Sequence, residues 1–198
     1  MTFENLALPA VIWIALTSLV LLTSRDWRWC MLALGAQYVG VFGLVASDWP
    51  ISLAVVKLVA GWMATAVLGM GASGVSVGWQ EAGQVHPSGF WFRVLAAGLV
   101  GLVVISVAPG VSAWIPEVEK EIAWGGLVLI GMGLLQLGLS THPLRVVVGL
   151  LTVLAGFEVL YAAVESATLL AGLLAVVNLG LALAGAYLMV APEIEENQ

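Results

Sequence analysis

Charged residues are scarce in this chain of 198 residues, and cysteine and histidine are almost absent. Only 9% of the residues are charged, whereas a soluble globular domain carries about 25%. The single cysteine, Cys30, excludes an intrachain disulfide and a cysteine-based metal cluster. The two histidines, His86 and His142, argue against a haem held by paired imidazoles, and motifs of hydrolases, zinc peptidases and flavoproteins are lacking. We therefore expect no metal and no cofactor.

Hydrophobic residues, in contrast, make up 62% of the chain and occur in seven long runs. A membrane-spanning helix needs about 20 apolar residues, so these runs predict an all-α, polytopic membrane helix bundle with a single transmembrane domain over residues 1–198. We place the seven helices at residues 7–24, 29–47, 51–72, 92–109, 122–140, 145–164 and 167–190. The longest connection, residues 73–91, is rich in Gly, Ser and Gln and predicts a flexible loop or a docking surface for a neighbouring subunit.

The distribution of basic residues predicts the orientation of the bundle. Arg25, Arg28, Arg93 and Arg145 fall on one side of the predicted spans, and Lys120 alone falls on the other. Because cytoplasmic loops are enriched in Lys and Arg, we expect the N-terminus outside and the C-terminus inside. A prokaryotic inner membrane is the expected location. The net charge of −6 argues against nucleic acid as a partner.

Tryptophan and glycine support the predicted spans. Seven tryptophans, Trp49 among them, fall at or near helix ends, where an indole ring prefers the headgroup region. Glycines recur within the spans at spacings that predict close helix packing. The recurring glycines are Gly35, Gly40, Gly43, Gly69, Gly71, Gly131, Gly133, Gly138, Gly180 and Gly185.

One carboxylate, Glu158, lies inside a predicted span, and a charge in hydrocarbon costs at least about 2.5 kcal/mol on insertion scales. Lys57 is its only intramembrane counter-charge and lies at a similar depth in the outer third of the bilayer. We expect the two side chains to meet in a buried pair that can titrate. The alternatives are that Lys57 extends to the outer interface, or that the pair is only a structural salt bridge.

Four further polar residues lie in or beside the spans. Gln37 and Asn178 are near mid-membrane, while Gln136 and His142 lie toward the cytoplasm. Together they form a candidate polar path, and the alternative for the three amides is ordinary interhelical hydrogen bonding. His142-Pro143 favours the start of a helix over a proton-loading histidine. Tyr38, Tyr161 and Tyr187 are interpreted as packing residues.

The last third of the chain carries a pattern around Glu158 that is found in a known family. The pattern consists of Gly125 through Leu139, Arg145, Gly156-Phe-Glu158-Val-Leu-Tyr-Ala-Ala163 and Asn178-Leu-Gly-Leu-Ala-Leu183. Residues 120–198 thereby resemble the three-helix subunit K of respiratory complex I, whose second helix carries a similar Gly-Leu-Glu segment. The whole chain is similar to component E of hydrogenase-4 type complexes, with Trp27-Arg28-Trp29-Cys30, Val56-Lys57-Leu58 and the glutamate helix in the same order.

This resemblance implies a non-catalytic membrane-arm subunit of a hetero-oligomeric, energy-converting oxidoreductase or antiporter-like complex. It places Glu158 and Lys57 on a proton or sodium path beside antiporter-like subunits. Asn178 departs from the pattern, because both of the families that the chain resembles have an acid there, and an amide cannot bind and release a proton near neutral pH. A structural scaffold subunit without its own ion path is therefore the alternative. A stand-alone transporter fits less well, since no internal repeat is visible.

Overall fold

The computed structural model of the chain describes residues 4–24, 26–74, 87–165 and 167–196. These residues form seven α-helices, and they contain no β-strand. The helices are α1 (Glu4–Thr23), α2 (Trp27–Asp48), α3 (Ile51–Gly74), α4 (Pro87–Trp114), α5 (Lys120–Leu139), α6 (Pro143–Val164) and α7 (Thr168–Glu196). Each predicted run coincides with one of them, so the all-α prediction is confirmed for the described part of the chain.

Six of the described helices, α2 to α7, are long and apolar enough to cross a membrane. The apolar part of α1, Ala7–Thr23, is shorter. Large apolar side chains cover the outside of the bundle, and Leu95 and Leu169 are 71% and 92% exposed. A contiguous apolar surface of this kind is stable in lipid rather than in water. These features identify an integral membrane protein.

The prediction of a loop over residues 73–91 was wrong at both ends. Ser73 and Gly74 complete α3, and α4 begins at Pro87 and extends to Trp114. Proline fits the first turn of a helix, because its missing N–H would have no partner within the helix there. The polar composition that predicted a loop therefore continues into the first turn of α4. Residues 75–86 of the predicted loop, including Trp79 and His86, lie outside the described residues.

Four of the helices enclose the centre of the bundle. Short connections make successive helices antiparallel neighbours where the connection is described, and α2 packs on α3, α3 on α7, α7 on α6, and α6 on α2. The remaining helices surround this ring: α5 packs on α6 and α1, α1 packs on α2, and α4 lies at the periphery against α5. A side chain that points inward from α2, α3, α6 or α7 is therefore shielded from lipid.

Arginine side chains define one end of the bundle, which we call the arginine end (Arg28, Arg93 and Arg145). Arg93, near the start of α4, donates a hydrogen bond to the carbonyl oxygen of Leu22 over 2.9 Å. Arg145, near the start of α6, donates to the carbonyl oxygen of Ser24. Both acceptors lie at the C-terminal end of α1, where free carbonyls and the helix dipole attract cations. Arg28 is the second residue of α2 and lies at the same end.

Glycines bring the backbones of α5 and α6 into contact. A Cβ atom added to Gly156 would lie 2.6 Å from the carbonyl oxygen of Gly126 and 2.8 Å from the amide nitrogen of Ile130. A second crossing point joins Gly133 to Gly149. The predicted packing role was wrong for Gly138 and Gly180, whose added Cβ atoms would meet nothing within 4 Å. Spacing alone does not show which glycines face a neighbouring helix.

We expect Gly156→Ala to destabilise the protein by about 1–3 kcal/mol, because the new methyl group overpacks the crossing of α5 and α6. The matched control is Gly101→Ala in the middle of α4, where an added Cβ meets nothing within 4 Å. The control should be neutral or stabilising by up to about 1 kcal/mol, through helix propensity. Denaturant unfolding in detergent micelles, followed by circular dichroism, measures both effects. Equal midpoints for the two variants would contradict the proposed crossing.

Candidate functional site

Lys57 and Glu158 form an ion pair in the interior of the bundle, which confirms the predicted approach of the two charges. Their side chains are almost fully enclosed, with residue exposures of 5% and 3%. Lys57 lies six residues after the start of α3, and Glu158 lies six residues before the end of α6. Each is thus about 9 Å along its helix from the same end of the bundle. The side chain of Lys57 therefore does not extend to the membrane interface, which was the alternative.

Two more polar side chains join the pair and connect all four central helices. The amide nitrogen Nδ2 of Asn178 on α7 donates to Oε1 of Glu158 over 3.0 Å. The hydroxyl of Tyr38 on α2 donates to Oδ1 of Asn178 over 3.4 Å, which is long for a hydrogen bond of this type. We call Tyr38, Lys57, Glu158 and Asn178 the buried polar cluster. All four residues are buried.

Small residues on α3 make room for the cluster. The inward face of α3 near Lys57 consists of Ala54, Ala60, Gly61 and Ala64, so the lysine is the one long side chain there. A Cβ atom at Gly61 would overlap the ring of Tyr38. The absence of that atom lets the phenol pack closely against α3, and its hydroxyl reaches Asn178 on α7. The small residues of α3 around Lys57 therefore leave room between the helices for both the lysine side chain and the tyrosine ring.

The two carboxylate oxygens of Glu158 have different environments. Oε1 accepts from Asn178 and faces the Lys57 ammonium, whereas Oε2 is buried and has no hydrogen-bond donor among the described residues. A buried acceptor without a donor carries a desolvation penalty of about 1–3 kcal/mol, and more when it is charged. A proton on Oε2, or a water molecule that donates to it, would remove this penalty. Oε2 is therefore the atom of the cluster that is suited to take up a proton.

The other predicted path residues are separate from the cluster. Gln37 donates from Nε2 to Oγ of Ser18 on α1 over 3.4 Å, and its Oε1 has no donor within the described residues. Gln136 donates to the carbonyl oxygen of Arg145 over 3.3 Å. Both glutamines thus make the interhelical hydrogen bonds that we considered as the alternative. Both lie on the side of Glu158 that faces the arginine end.

His142 directly precedes α6, and Pro143 is the first residue of that helix, which confirms the interpretation as a helix start. Burial, and secondly the nearby Arg145 guanidinium, lower the pKa of His142 below its ordinary value. The imidazole is consequently neutral near pH 7, because that pH lies above even the ordinary pKa of histidine. His142 is therefore disfavoured as a group that takes up an additional proton at neutral pH.

Sequence reasoning missed two residues at this site. Tyr38 was interpreted as a packing residue, yet its hydroxyl is part of the cluster; the available signal was that a buried tyrosine usually needs a partner for its hydroxyl. Trp49 was expected at the headgroups, yet it is 6% exposed. Its Nε1 donates to the carbonyl oxygens of Ala162 and Glu165, over 2.9 and 3.2 Å. Trp49 therefore covers the last turn of α6, one turn beyond Glu158.

The fold and this site define the chain as a helical integral membrane protein with a lysine–glutamate pair buried between four helices. The chain matches no protein-family model, no curated protein and no solved structure. Its resemblance to subunit K of complex I and to component E of hydrogenase-4 type complexes stays a prediction.

We expect Lys57→Met to destabilise the protein by about 3–5 kcal/mol, because it leaves the Glu158 carboxylate buried without its counter-charge. The double variant Lys57→Met/Glu158→Gln removes both charges and should recover most of that loss. Lys120→Met, at an exposed lysine on α5, is the control and should leave stability unchanged. Unfolding in detergent at pH 7 measures all three. A double variant as unstable as Lys57→Met would show that the pair is not the source of the effect.

Proposed function

We propose that this chain is a non-catalytic membrane subunit of an energy-converting oxidoreductase or antiporter-like complex, in which Glu158 takes part in moving protons or sodium ions. The observation that carries this proposal is the buried Lys57–Glu158 pair, in which one carboxylate oxygen has no hydrogen-bond donor among the described residues. Ionisable residues inside membranes are costly, and proton relays and ion pathways are the usual reason for their presence. The resemblance of residues 156–163 to the glutamate segment of subunit K supports the same class of complex.

The pair can act as a titratable element without any other group in this chain. A proton that binds Oε2 neutralises the carboxylate and weakens its attraction for the Lys57 ammonium. Loss of that proton restores the charge and the attraction. Asn178 holds Oε1 by a hydrogen bond but cannot carry a proton itself. The relay therefore needs acids from neighbouring membrane subunits, which are the partners that we propose.

The distribution of buried polar residues supports proton access from the arginine end. Ser18, Gln37, Gln136 and Thr152 are all buried and lie between that end and Glu158. Thr152 is six residues before Glu158 on α6, about 9 Å away along the helix. On the opposite side, the buried indole of Trp49 covers the last turn of α6. Buried polar side chains thus occur at several depths between the arginine end and Glu158.

A scaffold subunit without its own ion path is the second candidate, and Asn178 is the observation that favours it. Where the two similar families have an acid, this chain has an amide whose two polar atoms are both engaged within the cluster. In this interpretation the buried polar cluster stabilises the packing of four helices, and Glu158 does not change its protonation state. The two candidate functions differ in whether Glu158 must bind and release a proton.

Glu158→Gln keeps the size and most of the hydrogen bonding of the side chain but removes the titratable proton. We expect the variant complex to assemble, and its proton or sodium uptake per electron to fall well below that of the wild type. Glu119→Gln, at an exposed glutamate before α5, is the control and should pump normally. Ion uptake into vesicles that carry the assembled complex measures both. Wild-type uptake by Glu158→Gln would favour the scaffold.

The orientation that we propose places the arginine end in the cytoplasm, in a prokaryotic inner membrane, because positive residues concentrate there. It includes α1 as a seventh span, since its apolar part of 17 residues is at the lower limit of about 17 for a spanning helix. The N-terminus is then outside and the C-terminus inside. A reporter fused after Gln198 that requires the cytoplasm should be active. Activity of an external reporter at that position would show that either the orientation or the odd number of spans is wrong.

A further inference from the structure

An apolar groove runs along the outer surface between α2 and α3. Its cavity volume is about 550 Å³, and its lining includes Trp27, Leu32, Gly35, Val39, Trp62 and Gly69. Glycine and alanine contribute part of the lining, so little side-chain volume fills the space between the two helices there. The indole of Trp62 lies across it and is fixed by a hydrogen bond from Nε1 to the carbonyl oxygen of Gly35 over 3.1 Å. The groove is preformed by these contacts.

The length and direction of the groove correspond to one leaflet of a bilayer. On α2 the lining extends from Trp27, at the arginine end, to Val39, which lies twelve residues further along the helix. Twelve residues span about 18 Å of helix, and half of the hydrocarbon core of a bilayer is about 15 Å. The groove therefore begins at headgroup level and ends near the middle of the membrane.

A cation stands at the headgroup end of the groove. The guanidinium of Arg28 lies over the ring of Trp27, 5.6 Å from its centroid. Arg28 is exposed and makes no hydrogen bond or ion pair with residues in the described ranges. Asp26, which is exposed and precedes α2, is the acid nearest in sequence, while Arg93 and Arg145 add positive charge at the same end. The guanidinium is therefore available to an anion from the headgroup layer.

We propose that this groove binds one acyl chain of an anionic phospholipid from the leaflet at the arginine end, with the lipid phosphate held by Arg28. The acyl chain lies on the small residues between α2 and α3, and it ends near Trp62. The guanidinium pairs with the phosphate at the position where Trp27 marks the interface. The proposal does not depend on ion transport by Glu158.

A second groove of this chain provides an internal comparison. It lies between α4 and α5, has a volume of about 470 Å³, and is lined by apolar residues such as Val103 and Leu134. Its lining contains no aromatic ring and no cation. The nearest basic residue before it on α4, Arg93, already donates to the C-terminal end of α1. A lipid chain that fills this groove has no headgroup partner of the kind that Arg28 offers.

The test uses the purified full-length chain in detergent, mixed with equal amounts of phosphatidylglycerol and phosphatidylcholine that have the same acyl chains. Native mass spectrometry counts the retained lipids. We expect phosphatidylglycerol to be retained over phosphatidylcholine by about fivefold, the factor that one arginine near a membrane surface supplies. Arg28→Gln should reduce this ratio to about one. Ala66→Phe, at an exposed residue that lines the groove, should lower the retention of both lipids.

Val103→Phe fills the second groove instead and is the matched control, so it should leave the lipid ratio unchanged. Circular dichroism of each variant confirms that the helices are intact. Equal retention of the two lipids by the wild type would overturn the proposal, as would a ratio that survives Arg28→Gln. Displacement of phosphatidylglycerol by an equimolar isoprenoid quinone would show a different occupant and would also overturn it.

Discussion

The burial of one lysine with one glutamate constrains the whole bundle. Lys57 and Glu158 must meet at one depth, so α3 and α6 run antiparallel with their charged residues at equal distance from one end. Asn178 and Tyr38 then fix α7 and α2 around the same point. Each of the four central helices contributes one group, and a buried charge is tolerated only when such partners are in place.

The protein is electrostatically asymmetric along its axis. At the arginine end, cations engage the C-terminal end of α1, and buried amides and hydroxyls extend inward from there. At the other end, Trp49 covers α6 through two carbonyl oxygens, and an acidic segment precedes α5. The charged pair lies nearer this second end.

The sequence predicted the helices and the pair because both depend on quantities that a sequence contains. Run length and apolar content set the spans, and Lys57 was the only intramembrane cation at the depth of Glu158. Sequence did not predict the positions of Tyr38 and Trp49, because their roles depend on which neighbouring helix each side chain faces. The same missing information explains the error at Gly138.

The separation of the pair along the chain has a consequence for biosynthesis. Lys57 precedes Glu158 by 101 positions, so α3 enters the bilayer before its partner has been translated. Until then the ammonium stays within reach of the headgroups, because about 9 Å of helix separates it from the nearer end. In the folded bundle, Glu158 on α6 holds the ammonium in the interior. Insertion of the sixth helix thus supplies the counter-charge for a lysine that was made earlier, and it completes the contact of α6 with α2.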